Sequence, residues 1–239
     1  MNIYQVSDLS ELVRGNSYPG RGIVLGMSED GTRAVAAYFI MGRSANSRNR
    51  IFTVKNGELF TEPFDASLVE DPSLIIYAAL RQFENQLIVT NGNQTDTVYE
   101  GLAAGKSFSE ALESRCFEPD APNLTPRISG LFTLDAARPR YEMSILKSVD
   151  AEGSDCARYT FSYPAKPGLG HFIHTYVCDG KPIPSFQGEP ERVRIGNDVD
   201  ALSRALWDSL DEANKISLYV RFVELSTGAY EERLINKHA

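Results

Sequence analysis

Apolar residues follow two rhythms along this 239-residue chain, and their order divides it into blocks. Residues 22–26, 34–41, 50–54 and 87–90 are short apolar runs rich in β-branched and aromatic side chains, with Glu29-Asp-Gly31 and Lys55-Asn-Gly57 as turn signals between or after them. Such runs predict strands, and strands this close together predict antiparallel hairpins. A short helix is expected over 7–13, capped by Ser7 or Asp8, before Asn16-Ser-Tyr-Pro-Gly20 breaks the chain. The spacing then turns helical. Val98 and Leu102 lie one turn apart within 95–104, and Ser107-Phe-Ser-Glu110 is a capping box opening a helix through Leu112 to about Arg115. Strands return over 128–133, 141–146, 159–163 and 172–177. A helix follows over 198–213, with Leu202, Leu206 and Leu210 at four-residue spacing, and then a strand over 217–225.

Strands followed by helices, twice over, predict an α+β fold in which two mostly antiparallel sheets stack face to face with helices outside, a four-layer αββα sandwich. Neither Pro119-Asp-Ala-Pro122 nor the 164–170 stretch separates the halves, so a single domain over 1–239 is expected. With 42% hydrophobic residues the chain can bury a substantial core. Its net charge of -8 opposes nucleic-acid and anionic-membrane partners through a repulsive far field. A small phosphorylated ligand is still admissible, because it feels the local charge. Cys116, Cys156 and Cys178 are odd in number and lack C-x-x-C spacing, so free, buried thiols are expected rather than a disulfide or zinc framework. No run has signal-peptide or membrane-span character, which points to a cytoplasmic protein.

Against that acidic background, the segment 38–52 gathers Arg43, Arg48 and Arg50 with Ser44, Asn46, Ser47 and Asn49, and no carboxylate interrupts it. Guanidinium groups match phosphate oxygens in planar, bidentate fashion, and the neutral donors between them serve the remaining oxygens. The apolar flanks place this cluster where two strands meet. A second polar group, Thr90-Asn-Gly-Asn-Gln-Thr-Asp96, ends a strand and opens a helix. Turn formation and helix capping account for Asn91, Gly92 and one of Thr95 and Asp96; the surplus amides suit a carboxamide or purine edge. Asn123-Leu-Thr-Pro-Arg127 delivers Arg127 just before a strand. Gly101-Leu-Ala-Ala-Gly-Lys-Ser107 is one residue short of a nucleoside-triphosphate loop and sits at a helix, so it is set aside. Strand alternation sends His171 and His174 to opposite faces, which opposes a shared metal. Glu231-Glu232 reads as a solvated face, and no nucleophile elbow, zinc-protease motif or dinucleotide fingerprint is present.

Taken together, Gly20-Arg21, Arg43-Ser44, Asn49-Arg50, Thr90-Asn-Gly92, Thr95-Asp96 and Thr125-Pro-Arg-Ile128 resemble, in this order, the motifs of the archaeal-type inosine monophosphate (IMP) cyclohydrolase family. The similarity is broad from Tyr18 to Ser129 and thin beyond. It departs from the family pattern at Gln94, where the family has His, and by two extra residues between Arg43-Ser44 and Asn49-Arg50. Arg48 and Arg50 therefore compete for one role. The resemblance implies a fold like the N-terminal-nucleophile hydrolases without self-processing, no cofactor or metal, and closure of 5-formamidoimidazole-4-carboxamide ribotide (FAICAR) to IMP with loss of water. On this reading Arg21, Arg43, Ser44, Arg48, Asn49, Gln94, Thr95 and Arg127 bind the ribotide, Tyr77 and Arg50 act at the formyl oxygen, and Asn91 and Asp96 orient the carboxamide. A binding homologue without chemistry and an amide hydrolase that exposes a Ser, Thr or Cys nucleophile by processing are the rival readings. Quaternary state stays open, a homo-oligomer included.

Overall fold

A computed structural model describes residues 4–69 and 76–238. Leu74 and Ile75, which precede Tyr77 in its apolar segment, lie outside the described residues, as does Met1. The first block runs α1 (Leu9–Val13), β1 (Arg21–Met27), β2 (Arg33–Met41), α2 (Ala45–Arg48), β3 (Ile51–Lys55), β4 (Glu58–Glu62), β5 (Tyr77–Phe83) and β6 (Gln86–Thr90). Next come α3 (Gln94–Ala103), α4 (Phe108–Leu112), β7 (Arg127–Thr133), β8 (Arg140–Ser148), β9 (Cys156–Pro164) and β10 (Leu169–His174). The chain ends in β11 (Glu191–Arg194), α5 (Val199–Ser209), β12 (Lys215–Glu224) and β13 (Tyr230–Asn236).

These strands form two antiparallel sheets, ordered β11-β10-β1-β2-β12-β13 and β3-β4-β5-β6-β7-β8-β9. Because β2 has apolar neighbours on both faces, its sequence is a continuous apolar run rather than an alternating one. Ala34, Ala36, Tyr38 and Ile40 join a core shared with Phe52, Tyr77, Leu80, Val89 and Phe132 of the other sheet. Val35, Ala37, Phe39 and Met41 pack with Leu9, Val13, Leu206 and Leu210 of the α1 and α5 region. A third cluster joins Ile88 and Leu131 to Val98, Phe108 and Leu112 of α3 and α4. Face-to-face contact between the sheets is close at Gly130, where an added Cβ would fall 2.8 Å from Leu25 Cδ1.

The structure corrects several expectations. β2 and β3 do not form a hairpin: β2 lies inside the first sheet and β3 on the edge of the second, with the one-turn α2 carrying the chain across. β4, β5, β11 and β13 were not foreseen; β11 buries one residue and β13 none, so neither carries an apolar pattern. The thiols are not buried; Cys116 and Cys178 are exposed and Cys156 is partly exposed. Glu232 accepts from the fully buried Arg221 at 2.9 Å and so is an internal ion-pair partner, not merely a solvated acid. His171 and His174 do part: His171 bonds Tyr141 across the sheets at 2.7 Å, while His174 stacks on Phe172. Among the described residues no helix is long and apolar enough to cross a membrane.

Candidate functional site

Antiparallel register brings the starts of some strands and the ends of their neighbours to one end of the molecule. In the first sheet Arg21 pairs with Ile40 and Gly22 with His174, so the start of β1 meets the ends of β2 and β10. In the second, Thr61 pairs with Tyr77 and Thr90 with Ser129, so the starts of β5 and β7 meet the ends of β4 and β6. The segments singled out from sequence therefore come together, although each lies in a different element. At this end opens a cavity of about 220 Å³ whose wall includes Tyr18, Arg21, Arg43, Ser44, Ser47, Arg50, Asp120, Thr125 and Tyr176.

Local sequence explains this wall. Gly20 has φ +82, and an added Cβ would lie 2.2 Å from Thr175 Oγ1, so only glycine can start β1 this close to the end of β10. Ser44 caps α2 by accepting from the Ser47 backbone at 3.1 Å while Ser47 Oγ accepts from the Ser44 backbone at 3.0 Å. This reciprocal cap turns the chain so that Arg43 and Arg50 both reach the cavity. Arg48 points away and is exposed, donating to Gly42 O at 3.1 Å and to Asn214 at 3.1 Å. Of the two competing arginines, Arg50 is the one at the cavity. Asn49 is also spent elsewhere, exchanging bonds with the Asp65 backbone at 2.8 and 2.7 Å.

The charges here are unbalanced. Arg21 is paired with the buried Glu118 at 3.3 Å, and Arg43 with Asp179 at the rim, where its guanidinium also lies over the Tyr18 ring at 5.0 Å. Arg50 is 3% exposed and, among the described residues, donates only to the Ser47 and Met41 carbonyls, at 2.7 and 3.1 Å. Arg127 donates to Gln94 Oε1 at 2.8 Å. Neither Arg50 nor Arg127 meets a carboxylate within 4.0 Å among the described residues. Burial works against the charge of Arg21, but Glu118 and the nearby tyrosines outweigh it and hold its pKa well above the usual value. Burial, and then repulsion from Arg21, lowers that of Arg50. Burial also lowers that of Arg127; Glu118 offsets part of this and Arg115 adds to it. Buried guanidinium groups in such excess suit an anionic ligand.

The second polar group builds the site rather than facing the cavity. Asn91 is fully buried, and its amide accepts from Ile128 N at 2.9 Å and donates to Pro126 O at 2.9 Å, which settles its orientation. Gln94 Nε2 donates to Asn91 Oδ1 at 2.9 Å and to Ile128 O at 3.2 Å, leaving Oε1 as the acceptor for Arg127. Thr95 bonds Thr90 Oγ1 at 2.7 Å. Asp96 turns outward to Arg81 at 2.8 Å, because helical spacing cannot keep Gln94, Thr95 and Asp96 all on the inner face. The expected carboxamide roles of Asn91 and Asp96 therefore do not fit this arrangement: one amide is consumed by backbone groups and the carboxylate lies on the wrong side. Tyr77 is buried behind the wall, its hydroxyl 2.9 Å from that of Tyr38 and within electrostatic reach of Arg21, Arg50 and Arg127. Tyr18, Tyr38, Glu118 and Tyr176 were not among the sequence candidates. Tyr18 adjoins the Gly20-Arg21 motif and Tyr38 heads the arginine-rich segment 38–52, so both could have been found there; Glu118 and Tyr176 carry no local signal.

Comparison with known proteins identifies the family. The model of the family described as "IMP cyclohydrolase-like protein" matches residues 18–228, extending well past the motifs visible by eye. An IMP cyclohydrolase from Methanopyrus kandleri is 33% identical over 183 residues, covering 71% of this chain and 89% of its own. One from Methanococcus aeolicus is 25% identical over 165 residues, covering 67% and 75% respectively. With the matched region running from the Tyr18 side of the cavity to the far end of the second sheet's partner, the chain belongs to the IMP cyclohydrolase-like family.

Proposed function

We propose that the arginine-lined cavity binds FAICAR and closes it to IMP. The observation that carries this reading is Arg50: a buried guanidinium on the cavity wall, without a carboxylate partner, beside Arg21 and Arg43. A ribotide phosphate supplies the missing charge, and the half-exposed Arg43 with Ser44 at the rim is its natural anchor. The base end then faces the deeper Arg50 and Tyr77.

In the reaction the carboxamide nitrogen attacks the formyl carbon and forms the ring C–N bond. The formyl oxygen leaves as water, taking one proton from the carboxamide nitrogen and one from the formamido nitrogen. Because both reacting groups belong to one molecule, holding them in attack geometry can remove roughly 7–11 kcal/mol of the barrier. As the formyl oxygen gathers negative charge, Arg50 and the Tyr77 hydroxyl stabilise it. Gln94 acts through Arg127, as an acceptor that fixes the guanidinium, and that role needs no proton transfer from the position where the family has His.

The same proposal extends to the finer architecture. Apolar clusters between the sheets and on the outer face of each support a four-layer αββα arrangement like that of N-terminal-nucleophile hydrolases. A single domain over 1–239 and a cytoplasmic setting belong to it as well. Steady-state kinetics of Arg43→Ala and Arg50→Ala with FAICAR test the two roles separately. Arg43→Ala should raise KM, and Arg50→Ala should lower kcat by about 100-fold. Unchanged constants for both would exclude this cavity as the site.

A further inference from the structure

The hydroxyl of Tyr38 lies 2.9 Å from that of Tyr77, and Tyr77 is its only hydrogen-bond partner among the described residues. Two phenol protons thus share one hydrogen bond, so one proton is left over. Tyr38 is 0% exposed, sits on the inner face of β2 and stacks on Phe52 with ring centroids 5.3 Å apart. A proton left over on Tyr38 would be buried without an acceptor among the described residues, which is unfavourable. Tyr77 is 4% exposed, at the start of β5 behind the cavity wall, and Arg21, Arg50 and Arg127 lie within electrostatic reach of it. Guanidinium groups cannot accept a hydrogen bond.

We propose that Tyr38 is a positioning residue: it donates to the Tyr77 oxygen, so that the Tyr77 proton is the one left to meet an acceptor brought by the ligand. This rests on the reading of Tyr77 as a donor to the formyl oxygen. Three features support it. The pair spans the two sheets, so the close approach of the two hydroxyls is built into their packing. Burial raises the pKa of Tyr38 well above the usual value and keeps its proton in place. The surrounding arginines compete for the Tyr77 lone pairs only as donors, and leave its O–H without an internal destination.

Kinetics of Tyr77→Phe, Tyr38→Phe and the double variant separate the proposal from the reading beneath it. Tyr77→Phe should lower kcat about 100-fold with KM nearly unchanged, Tyr38→Phe should lower kcat about tenfold, and the double variant should be no slower than Tyr77→Phe alone. An unchanged kcat for Tyr77→Phe sinks the role of Tyr77 and the proposal with it. A slowed Tyr77→Phe beside an unaffected Tyr38→Phe, or losses that multiply in the double variant, sinks the proposal alone. Replacing Tyr38 by 4-aminophenylalanine, which keeps a donor at the same place, should restore most of the rate. Failure of that rescue in a folded variant also counts against it.

Discussion

At the scale of single residues, Gln94 decides how Arg127 is presented. Its amide is oriented by Asn91, which is itself fixed by the backbone at Pro126 and Ile128, so the acceptor for Arg127 is set by a chain of buried bonds. Gln94→Leu removes that acceptor and leaves Arg127 to reorient. A hydrogen bond to a charged group is worth about 1.5–3 kcal/mol, so KM for FAICAR should rise roughly 10- to 100-fold while kcat changes less. Gln94→Glu keeps an acceptor but supplies the negative charge that the ligand would otherwise bring, and should also weaken binding in a folded protein. Wild-type KM in both variants would remove Gln94 from the site. This residue was legible in sequence as part of a polar cluster, yet its partner was not. Amide-rich segments advertise hydrogen bonding without saying whether the bonds go to ligand or to backbone, and for Asn91 and Asn49 they go to backbone.

Among elements, the turn from β6 into α3 is a tight joint. An added Cβ at Gly92 would lie 2.6 Å from Arg127 Nη1 and 2.7 Å from Gln94 Oε1. Gly92→Ala therefore pushes directly on the Gln94–Arg127 pair. Overpacking of this kind costs about 1–3 kcal/mol, and a urea melt should show that loss together with a raised KM. An alanine variant with native stability and kinetics would mean that the joint gives way freely. At this scale the sequence was informative for β1, β2, β7, β12 and the longer helices, because their apolar runs are long or capped. It was silent on α2, whose cap pairs Ser44 with Ser47 where a Glu or Gln would have been recognised. It also misplaced β3, since proximity in sequence says nothing about a crossing from one sheet to the other.

For the whole molecule, the balance of charge separates surface from site: a net charge of -8 coexists with buried arginines at one end. The sequence indicated both facts but could not show that the arginines of distant segments converge, which depends on antiparallel register. Stability should depend on pH through His171 at the sheet interface. Burial first, and repulsion from Arg192 next, lower its pKa to about 4 from the usual 6.5. Below 6.5 the unfolded chain takes up a proton that the folded one refuses, so this contribution is complete above that pH and is lost as pH falls towards 4. The loss should amount to about 1–3 kcal/mol, and His171→Asn should flatten the dependence of unfolding free energy between pH 6.5 and 4. An equally steep dependence in that variant would assign it to other groups. The most direct test of the central claim, that the arginines of this cavity, Arg50 foremost, hold a ribotide while it closes on itself, is the rate of IMP formation from FAICAR by the wild-type chain and by Arg50→Ala side by side. Rapid IMP formation by the wild type and a loss of about 100-fold in the variant is the expected result. No IMP from the wild type, or equal rates from both, contradicts it.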